Sequence, residues 1–276
     1  MRRRRLAAEL QRLRLASRRT LEEVAGYLEC SPAKISRIEN GQVAVRIQDA
    51  RELLDLYEVP AEHREELLQM VRQARGRGWW SDYADVMEPG AETLISLEDE
   101  ASAISVYETN LVTALLQTER YALELFSSWT DVPLDRIRRQ VNLRMQRQRV
   151  LTRTSAPELT IVLDESCLHR ALGGPDVMHE QYIRLIDAAD RPGIDLRILP
   201  FAAGPHQAMG FGFHIFRFTG DDPSIVHIEL LNTADFLEGA EEVGRYQAAF
   251  HQARELALSP QQSRQLLEEL ASKTAQ

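Results

Sequence analysis

Residues 20–41 constrain the fold more than any other part of the sequence. Thr20, followed three residues later by Glu23, has the spacing of a capping box, in which two side chains satisfy backbone amides at a helix start. Ser31 and Pro32 form a second start signal, because proline at the first helical position sacrifices no hydrogen bond. The sequence therefore predicts two helices separated by a tight turn.

The second predicted helix has an apolar inner face and a small, basic outer face. Ile35 and Ile38 point inward, and Gly41 ends the helix because glycine accepts the left-handed backbone. Such a helix can lie in a DNA major groove, where the forked guanidinium of Arg37 matches guanine O6 and N7. The residues predicted to contact DNA are Thr20, Ser31, Ala33, Lys34, Ser36, Arg37 and Asn40. The alternative is a helical hairpin whose outer face is merely solvated.

These residues resemble a known family. The segment SPAKISRIENG resembles the recognition helix of the phage-repressor-like, or Xre, helix-turn-helix family, typically written Ser-x-x-x-Ile-Ser-x-x-Glu-x-Gly. Two positions depart from the family. Leu21 replaces a glutamine that supports DNA contacts in many members, and Glu29 replaces a glycine in the turn. Because residues other than glycine seldom adopt positive φ, Glu29 predicts a strained or differently shaped turn.

The charge is distributed unevenly along the chain. The net charge is −9, but residues 1–46 hold eleven basic and five acidic side chains, a net charge of +6 that leaves −15 for the remainder. This asymmetry predicts a basic DNA-reading domain on an acidic body. The acidic body would repel DNA and weaken non-specific binding.

Cysteine content and hydropathy exclude several classes of protein. Cys30 and Cys167 are too few for a disulfide framework or a zinc site, which fits a reducing cytoplasm. The sequence contains no signal-peptide apolar region and no run of about 18 apolar residues, so we expect no membrane association. We therefore expect a cytoplasmic protein.

The chain divides by composition into three parts. Residues 1–75 predict five helices in a repressor-like DNA-binding domain, and residues 76–91 form an aromatic linker that docks or acts as a ligand-gated hinge. Residues 92–276 predict a mixed α/β domain with a regulatory or partner-binding role. In that domain we expect helices over 92–106, 135–152, 167–172, 178–189, 238–258 and 261–271, two helices within 107–126, and strands over 159–163, 194–200, 211–218 and 224–231. The predicted fold is thus mainly α with a mixed α/β C-terminal domain.

The second half carries a resemblance of its own. The segments YETNLVTALLQTERYA, VLDESCLHRALGG, LRILPFAAGPH and ALSPQQS resemble a C-terminal domain common beside repressor-like domains in actinobacterial regulators. That domain is usually described as one of unknown function. Some members resemble antitoxin-like regulators encoded beside a small partner protein, which implies a protein partner for this chain.

The second half shows no catalytic motif, and we expect neither an enzyme nor a bound cofactor or metal. No HExxH, CxxC, GxSxG or P-loop spacing is present. His214, His227 and Glu229 could share one sheet face, but histidines on strands are more often satisfied by hydrogen bonds. Glu165 follows a predicted strand, where α/β sheets commonly bind ligands. We predict that Glu165, His206 and His214 line a pocket for a small effector or a partner peptide; the alternative is a domain that only packs and dimerises.

A basic helix is the last notable feature of this half. Residues 135–152 carry six arginines beside an apolar stripe of Ile137, Val141 and Met145. This helix either binds DNA or presents a solvated or interdomain face, and we favour the second.

These patterns together predict a sequence-specific regulator of transcription. It binds double-stranded DNA as a homodimer on half-sites about one helical turn apart. Its second domain binds a partner protein or small effector, dimerises the protein, or does both. The alternative is an antitoxin-like interaction protein that mainly sequesters a small partner and regulates its own gene.

Overall fold

A computed structural model describes residues 2–41, 43, 45–74, 78–128, 132–220, 222–231 and 233–274. The chain divides into two compact units, and the boundary along the sequence falls between Trp79 and Trp80. The first unit confirms the five predicted helices, which are α1 (Arg2–Ala16), α2 (Leu21–Tyr27), α3 (Pro32–Glu39), α4 (Ile47–Leu56) and α5 (Ala61–Ala74). One apolar core joins them, with Leu10, Val24, Ile35, Leu54 and Leu67 among its fully buried members.

Both helix starts adopt the predicted caps. The Thr20 hydroxyl accepts a hydrogen bond from the Glu23 amide at 3.2 Å, and the Thr20 amide donates to the Glu23 carboxylate at 2.8 Å. The Ser31 hydroxyl accepts from the Lys34 amide at 3.3 Å, with Pro32 in the first turn of α3. The first cap fixes the point at which α2 begins, and the second fixes the start of α3.

The turn between α2 and α3 has the backbone that the missing glycine implied. Glu29 has a φ of +49°, in the left-handed region that side chains with a Cβ seldom adopt. Gly41, beyond the C-terminal end of α3, has a φ of +68° as predicted. Part of the loop that follows, at residues 42 and 44, lies outside the described residues.

The second unit is built on a six-stranded mixed sheet. Its strands are β1 (Ala103–Glu108), β2 (Glu158–Asp164), β3 (Ile194–Leu199), β4 (Phe213–Arg217), β5 (Ile225–Glu229) and β6 (Ala234–Leu237). The spatial order is β3-β2-β1-β4-β5-β6. The first three strands run parallel to one another, whereas β4, β5 and β6 each pair antiparallel to their neighbour. The sheet and its surrounding helices confirm the mixed α/β fold.

The helices of the second unit lie between and after the strands. They are α6 (Ala91–Glu100), α7 (Glu119–Ser127), α8 (Leu134–Arg147), α9 (Ser166–His169), α10 (Pro175–Ala189), α11 (Ala240–Leu256) and α12 (Pro260–Thr274). One face of the sheet, including Tyr107, Phe213 and Val226, packs with Phe250 and Ala253 of α11. A second apolar cluster joins Ala122 and Phe126 of α7 with Ile137 and Val141 of α8.

Two predictions about these elements were wrong. The helix predicted over residues 92–106 stops at Glu100, and the residues after it form β1, the strand that joins the parallel and antiparallel halves. Ala103, Ile104 and Val106 are buried on this strand because neighbours cover both of its faces. The edge strand β6 was not predicted at all.

The aromatic segment before α6 packs on the second unit. The Arg139 side chain donates to both carboxylate oxygens of Asp85, at 2.7 and 3.1 Å, and lies over the Tyr83 ring at 5.4 Å. Val86 is buried. Residues 75–77, at the start of the predicted linker, lie outside the described part of the chain.

Candidate functional site

The predicted DNA-contacting residues lie along the start of α2 and the outward side of α3. Ile35, Ile38 and Glu39 are buried against the rest of the first unit. The exposed members of the predicted set are Thr20, Ser31, Ala33, Arg37 and Asn40, and the half-buried members are Lys34 and Ser36. The helix therefore offers solvent a narrow strip of small and basic side chains with no large apolar group. This composition suits a major groove.

Arg37 is the most accessible charged side chain of this strip. Its Nε donates to the Ala33 carbonyl of the same helix at 3.3 Å. This local hydrogen bond breaks when the side chain extends away from the helix. One turn on, the Asn40 side-chain amide donates to the Ser36 hydroxyl at 3.3 Å. The guanidinium of Arg37 is thus placed to pair with a base edge or a phosphate.

Lys34 is held differently from Arg37. Its Nζ lies 2.7 Å from the Asp49 carboxylate on α4, and both side chains are largely shielded from solvent. An ammonium in this ion pair has to exchange Asp49 for a phosphate before it contacts DNA. The role of Lys34 in DNA binding stays a prediction. The structure gives Lys34 a second role, because its ion pair with Asp49 links α3 to α4.

The sequence did not reveal what holds α3 against α1. Arg14, only 8% exposed, donates from Nε and Nη2 to the two carboxylate oxygens of Glu39, at 2.8 and 2.9 Å. Its Nη1 also donates to the Arg19 carbonyl at 2.9 Å, which ties down the residues just before the Thr20 cap. The sequence indicated this pair only through a basic residue among the apolar positions of α1. Glu39 belongs to the recognition-helix motif, but the motif does not say which residue pairs with it.

The three residues of the predicted C-terminal pocket each have a separate partner. The Glu165 carboxylate accepts from the Phe201 amide at 2.8 Å and lies 3.2 Å from the His169 ring. The His206 ring lies 3.4 Å from the Tyr107 hydroxyl, and the buried His214 ring lies 3.2 Å from the carboxylate of Glu108. Among the described contacts, none joins two of the three.

The sheet explains why the predicted pocket does not form. In the antiparallel pair of β1 and β4, Tyr107 lies opposite Phe213 and Val106 lies opposite His214. Successive residues of a strand point to opposite faces, so His214 and Tyr107, the partner of His206, lie on opposite faces of the sheet. The prediction of one pocket lined by Glu165, His206 and His214 is therefore corrected: the sheet itself separates His214 from His206.

The two strand histidines lie on one face of the sheet, as the sequence allowed. His214 on β4 lies directly opposite His227 on β5, with ring centroids 5.6 Å apart. Burial first, and then the charges of His214 and Arg147, lower the pKa of His227 to about 3. In the part of the chain that the structure describes, no group of three or more His, Cys, Asp or Glu residues is arranged to hold a metal ion.

The basic helix α8 does not present all its arginines to solvent. Arg147 donates to both carboxylate oxygens of Glu98, at 2.7 and 3.0 Å, and the Glu98 side chain is only 3% exposed. Arg144 donates to the Gln117 side chain at 2.6 Å. These two arginines have partners inside the second unit, which corrects the expectation of a solvated or interdomain face for them. The other four arginines of the predicted helix, Arg136, Arg138, Arg139 and Arg149, are exposed. Within the described residues, no helix is long and apolar enough to cross a membrane.

Comparisons with known proteins agree with this division of the chain. A helix-turn-helix domain family matches residues 5–67, which contain α2 and α3. A domain of unknown function, DUF5753, matches residues 91–269, which run from the start of α6 into α12. No curated protein and no solved structure matches the chain. Because the second match covers well over half of its length, this chain belongs to the DUF5753 family and carries a helix-turn-helix domain at its N-terminal end.

Proposed function

We propose that the protein is a sequence-specific transcription regulator of the Xre type, with α3 as its recognition helix. The observation that carries the proposal is the exposed Arg37 on a helix that Ser31 caps at its start and that the Arg14–Glu39 pair holds on its inner face. A recognition helix needs this rigidity, because base readout depends on a fixed angle in the groove.

The protein acts as a homodimer in this proposal. One helix of eight residues makes few base contacts, and repressor-like proteins gain specificity by placing two such helices on half-sites about one DNA turn apart. The target is then an inverted repeat in double-stranded DNA, which places the regulator in the cytoplasm. We assign no catalytic role to the second unit.

Selection of binding sites tests this proposal directly. The full-length protein is incubated with fragments of its host genome at about 150 mM salt, and the retained fragments are sequenced. We expect one inverted repeat to be enriched, with half-sites about ten base pairs apart. Retention of fragments without any shared sequence would show a non-specific DNA binder instead, because phosphate contacts alone carry no sequence information.

In our proposal, the second unit controls DNA binding by the first unit. It does so by binding an effector or a partner protein. The partner version, an antitoxin-like protein that sequesters a small protein, is favoured by one observation. Several large apolar side chains are exposed on this unit, namely Phe201, Met209, Phe211 and Leu231. A partner protein that covered these side chains would remove apolar surface from water, which is the main driving force of protein association.

Native mass spectrometry separates the two versions of this role. The full-length protein is purified gently from its host, so that oligomer, small molecule and protein partner are weighed together. A homodimer with a small-molecule mass supports the effector version. A complex with one small protein supports the antitoxin-like version, and its DNA affinity should then be titrated against that protein.

A further inference from the structure

A small cavity lies beside the sheet, on the face that carries His227. It measures about 70 Å³, several times the roughly 10–15 Å³ that one water requires. Its walls come from the segment before α6, the start of α6, the middle of α8 and the strands β5 and β6. The polar and charged residues among its lining are Glu88, Gln140, Arg144, Arg147, His227 and Glu229.

Arg144 is the unusual member of this lining. Its Nη1 donates to a neutral acceptor, Gln117, and its guanidinium carbon lies 4.3 Å from the centre of the Phe126 ring. Its Nε is buried and has no hydrogen-bond partner in the described residues. No carboxylate in that part of the chain forms an ion pair with it. Burial, and then the neighbouring charge of Arg147, lower the pKa of Arg144 to about 10.

Arg147 lines the same cavity one turn further along α8, but its guanidinium is paired. It donates two hydrogen bonds to the Glu98 carboxylate, which neutralises its charge. A buried charge without such a partner is unfavourable unless something compensates it. Arg144 stays charged at neutral pH. The charges of Glu229, Glu108 and Glu98 act on it from a distance, but no carboxylate among the described residues pairs with it, so a bound anion would compensate its charge.

The start of α6 forms part of the cavity wall. Gly90 is its N-cap and makes no side-chain capping hydrogen bond, the Ala91 amide donates to the Glu88 carbonyl at 3.1 Å, and Glu92 lies in the first turn. Gly90 and Ala91 line the cavity. A Cβ at position 90 would lie 2.7 Å from the Ala234 Cβ, so glycine also lets the helix start approach β6 closely.

The other charged groups of the lining leave Arg144 unpaired. Glu88 and Glu229 are solvent-exposed. The charge of Glu229 raises the Arg144 pKa and so opposes the effect of Arg147, but it does so from outside ion-pairing distance among the described contacts. His227 is neutral at pH 7 and adds no charge, because its pKa is far below that pH. The exposed carboxylates are screened by water, whereas the Arg144 guanidinium is not.

The side chain of Gln140 offers a ligand in the cavity an unpaired hydrogen-bond acceptor. Its amide nitrogen lies 3.3 Å from the Glu88 carboxylate and 3.5 Å from the Val86 carbonyl, and both of these groups only accept hydrogen bonds. These contacts fix the orientation of the amide. Its oxygen is buried and has no partner among the described residues. A ligand that fills the cavity should therefore also donate a hydrogen bond.

We propose that this cavity binds a small hydroxylated oxyanion, a carboxylate or phosphate that pairs with Arg144 at the start of α6 while its hydroxyl donates to Gln140. The volume admits an anion of a few heavy atoms, or the anionic end of a longer molecule that extends past the exposed Glu229. This inference rests on the effector version of the proposed function and names its chemical class.

Calorimetric titration of the full-length protein without DNA tests the proposal. The probes are sodium glycolate, sodium acetate and inorganic phosphate at constant ionic strength. We expect saturable binding of glycolate or phosphate at one site per chain, and weaker binding of acetate, which lacks the hydroxyl. Preference for glycolate over phosphate would identify the anion as a carboxylate, and the reverse would identify it as a phosphate. Absence of saturable binding for all three probes would overturn the proposal.

Variants of two neighbouring arginines locate the site. Arg144→Gln should weaken binding by about tenfold or more, because it removes the guanidinium that pairs with the anion. Arg138→Gln is the matched control: it makes the same change on an exposed residue of the same helix and should leave affinity unchanged. Equal affinity in Arg144→Gln and wild type would overturn the assignment.

A further variant protects the test against simple unfolding. Ala91→Asp places a carboxylate in the first turn of α6, where it favours the helix and occupies the anion position. It should retain the melting temperature of the wild type and lose glycolate binding. Undiminished binding in this variant would also refute the site. Intact anion binding with no selection of any DNA sequence would instead refute only the regulator proposal.

Discussion

The guanidinium of Arg14 on α1 donates two hydrogen bonds, of 2.8 and 2.9 Å, to the carboxylate of Glu39 on α3. Both side chains are buried, so neither charge is solvated if the other is removed. The helix that presents Arg37 to DNA is thus held from behind by an ion pair. The integrity of this pair decides whether the outward face of α3 keeps its position.

Breaking this pair should destabilise the first unit. We expect Glu39→Gln to lower its free energy of unfolding by about 3 kcal/mol, because the Arg14 charge stays buried without a partner. Urea denaturation followed by circular dichroism, with one transition fitted to each unit, measures this change. The double variant Arg14→Met with Glu39→Leu should lose less than Glu39→Gln alone, and Arg12→Gln, at an exposed ion pair with Glu9, should have little effect. A larger loss in the double variant would contradict this account.

Arg37 should determine which sequence is bound. Arg37→Ala should weaken binding to the selected site by about 1–3 kcal/mol and relax the preference at one base position. The matched control is Arg37→Lys, which keeps the charge but loses the bidentate geometry. If Arg37 reads a base, the lysine variant relaxes the same position. If the lysine variant binds every sequence like the wild type, Arg37 contacts a phosphate instead.

The Lys34–Asp49 pair should restrain non-specific DNA binding. Asp49→Asn removes the carboxylate that lies 2.7 Å from the Lys34 ammonium and frees that charge for a phosphate. We expect stronger binding to all sequences and a steeper decrease of affinity with salt, by about one unit of the log–log slope. Fluorescence anisotropy across a salt series measures both quantities. An unchanged slope in Asp49→Asn together with an unchanged affinity in Lys34→Ala would assign Lys34 a purely structural role.

The second unit should lose stability when the pH falls below neutrality. The pKa of His227 is about 3 in the folded protein, against about 6.5 in an unfolded chain. The unfolded chain therefore binds a proton first, and stability present above pH 6.5 is lost as the pH falls toward 3. Between pH 6.5 and 5 this one group should remove about 2 kcal/mol.

The variant His227→Phe isolates this contribution. It keeps an aromatic ring beside Phe236, whose ring centre lies 5.0 Å away, and removes the titration. Its melting temperature should change less than that of the wild type across the same pH range. Parallel curves for the two proteins would show that other groups cause the acid sensitivity.

Local signals in the sequence predicted the first unit well. Caps, turns and apolar spacing lie within a few residues of one another, so the starts of α2 and α3 and the positive φ of Glu29 followed from sequence. The second unit depended on distant partners. The apolar residues after Glu100 resembled the end of a helix, because a short apolar run does not distinguish a buried strand from a buried helix.

The predicted pocket failed for a related reason. Alternation along β4 separates Phe213 from His214, but only the pairing with β1 shows which face the His206 loop covers. The inward arginines of α8 were missed because Glu98 and Gln117 lie more than twenty-five residues away in sequence. Nothing in the local pattern of α8 distinguishes a buried arginine from a solvated one.

The central position of β1 has a consequence for how the chain acquires its structure. Ile104 pairs with Leu159 on one side and with Phe216 on the other, so both neighbours of this strand are made long after it. During synthesis the helix-turn-helix unit can complete its contacts at once. In contrast, β1 can pair with β2 on one edge but keeps its other edge open until β4 has left the ribosome. Its apolar run AISVYE is then the segment most exposed to wrong pairing, and a chain truncated before β4 should aggregate through it.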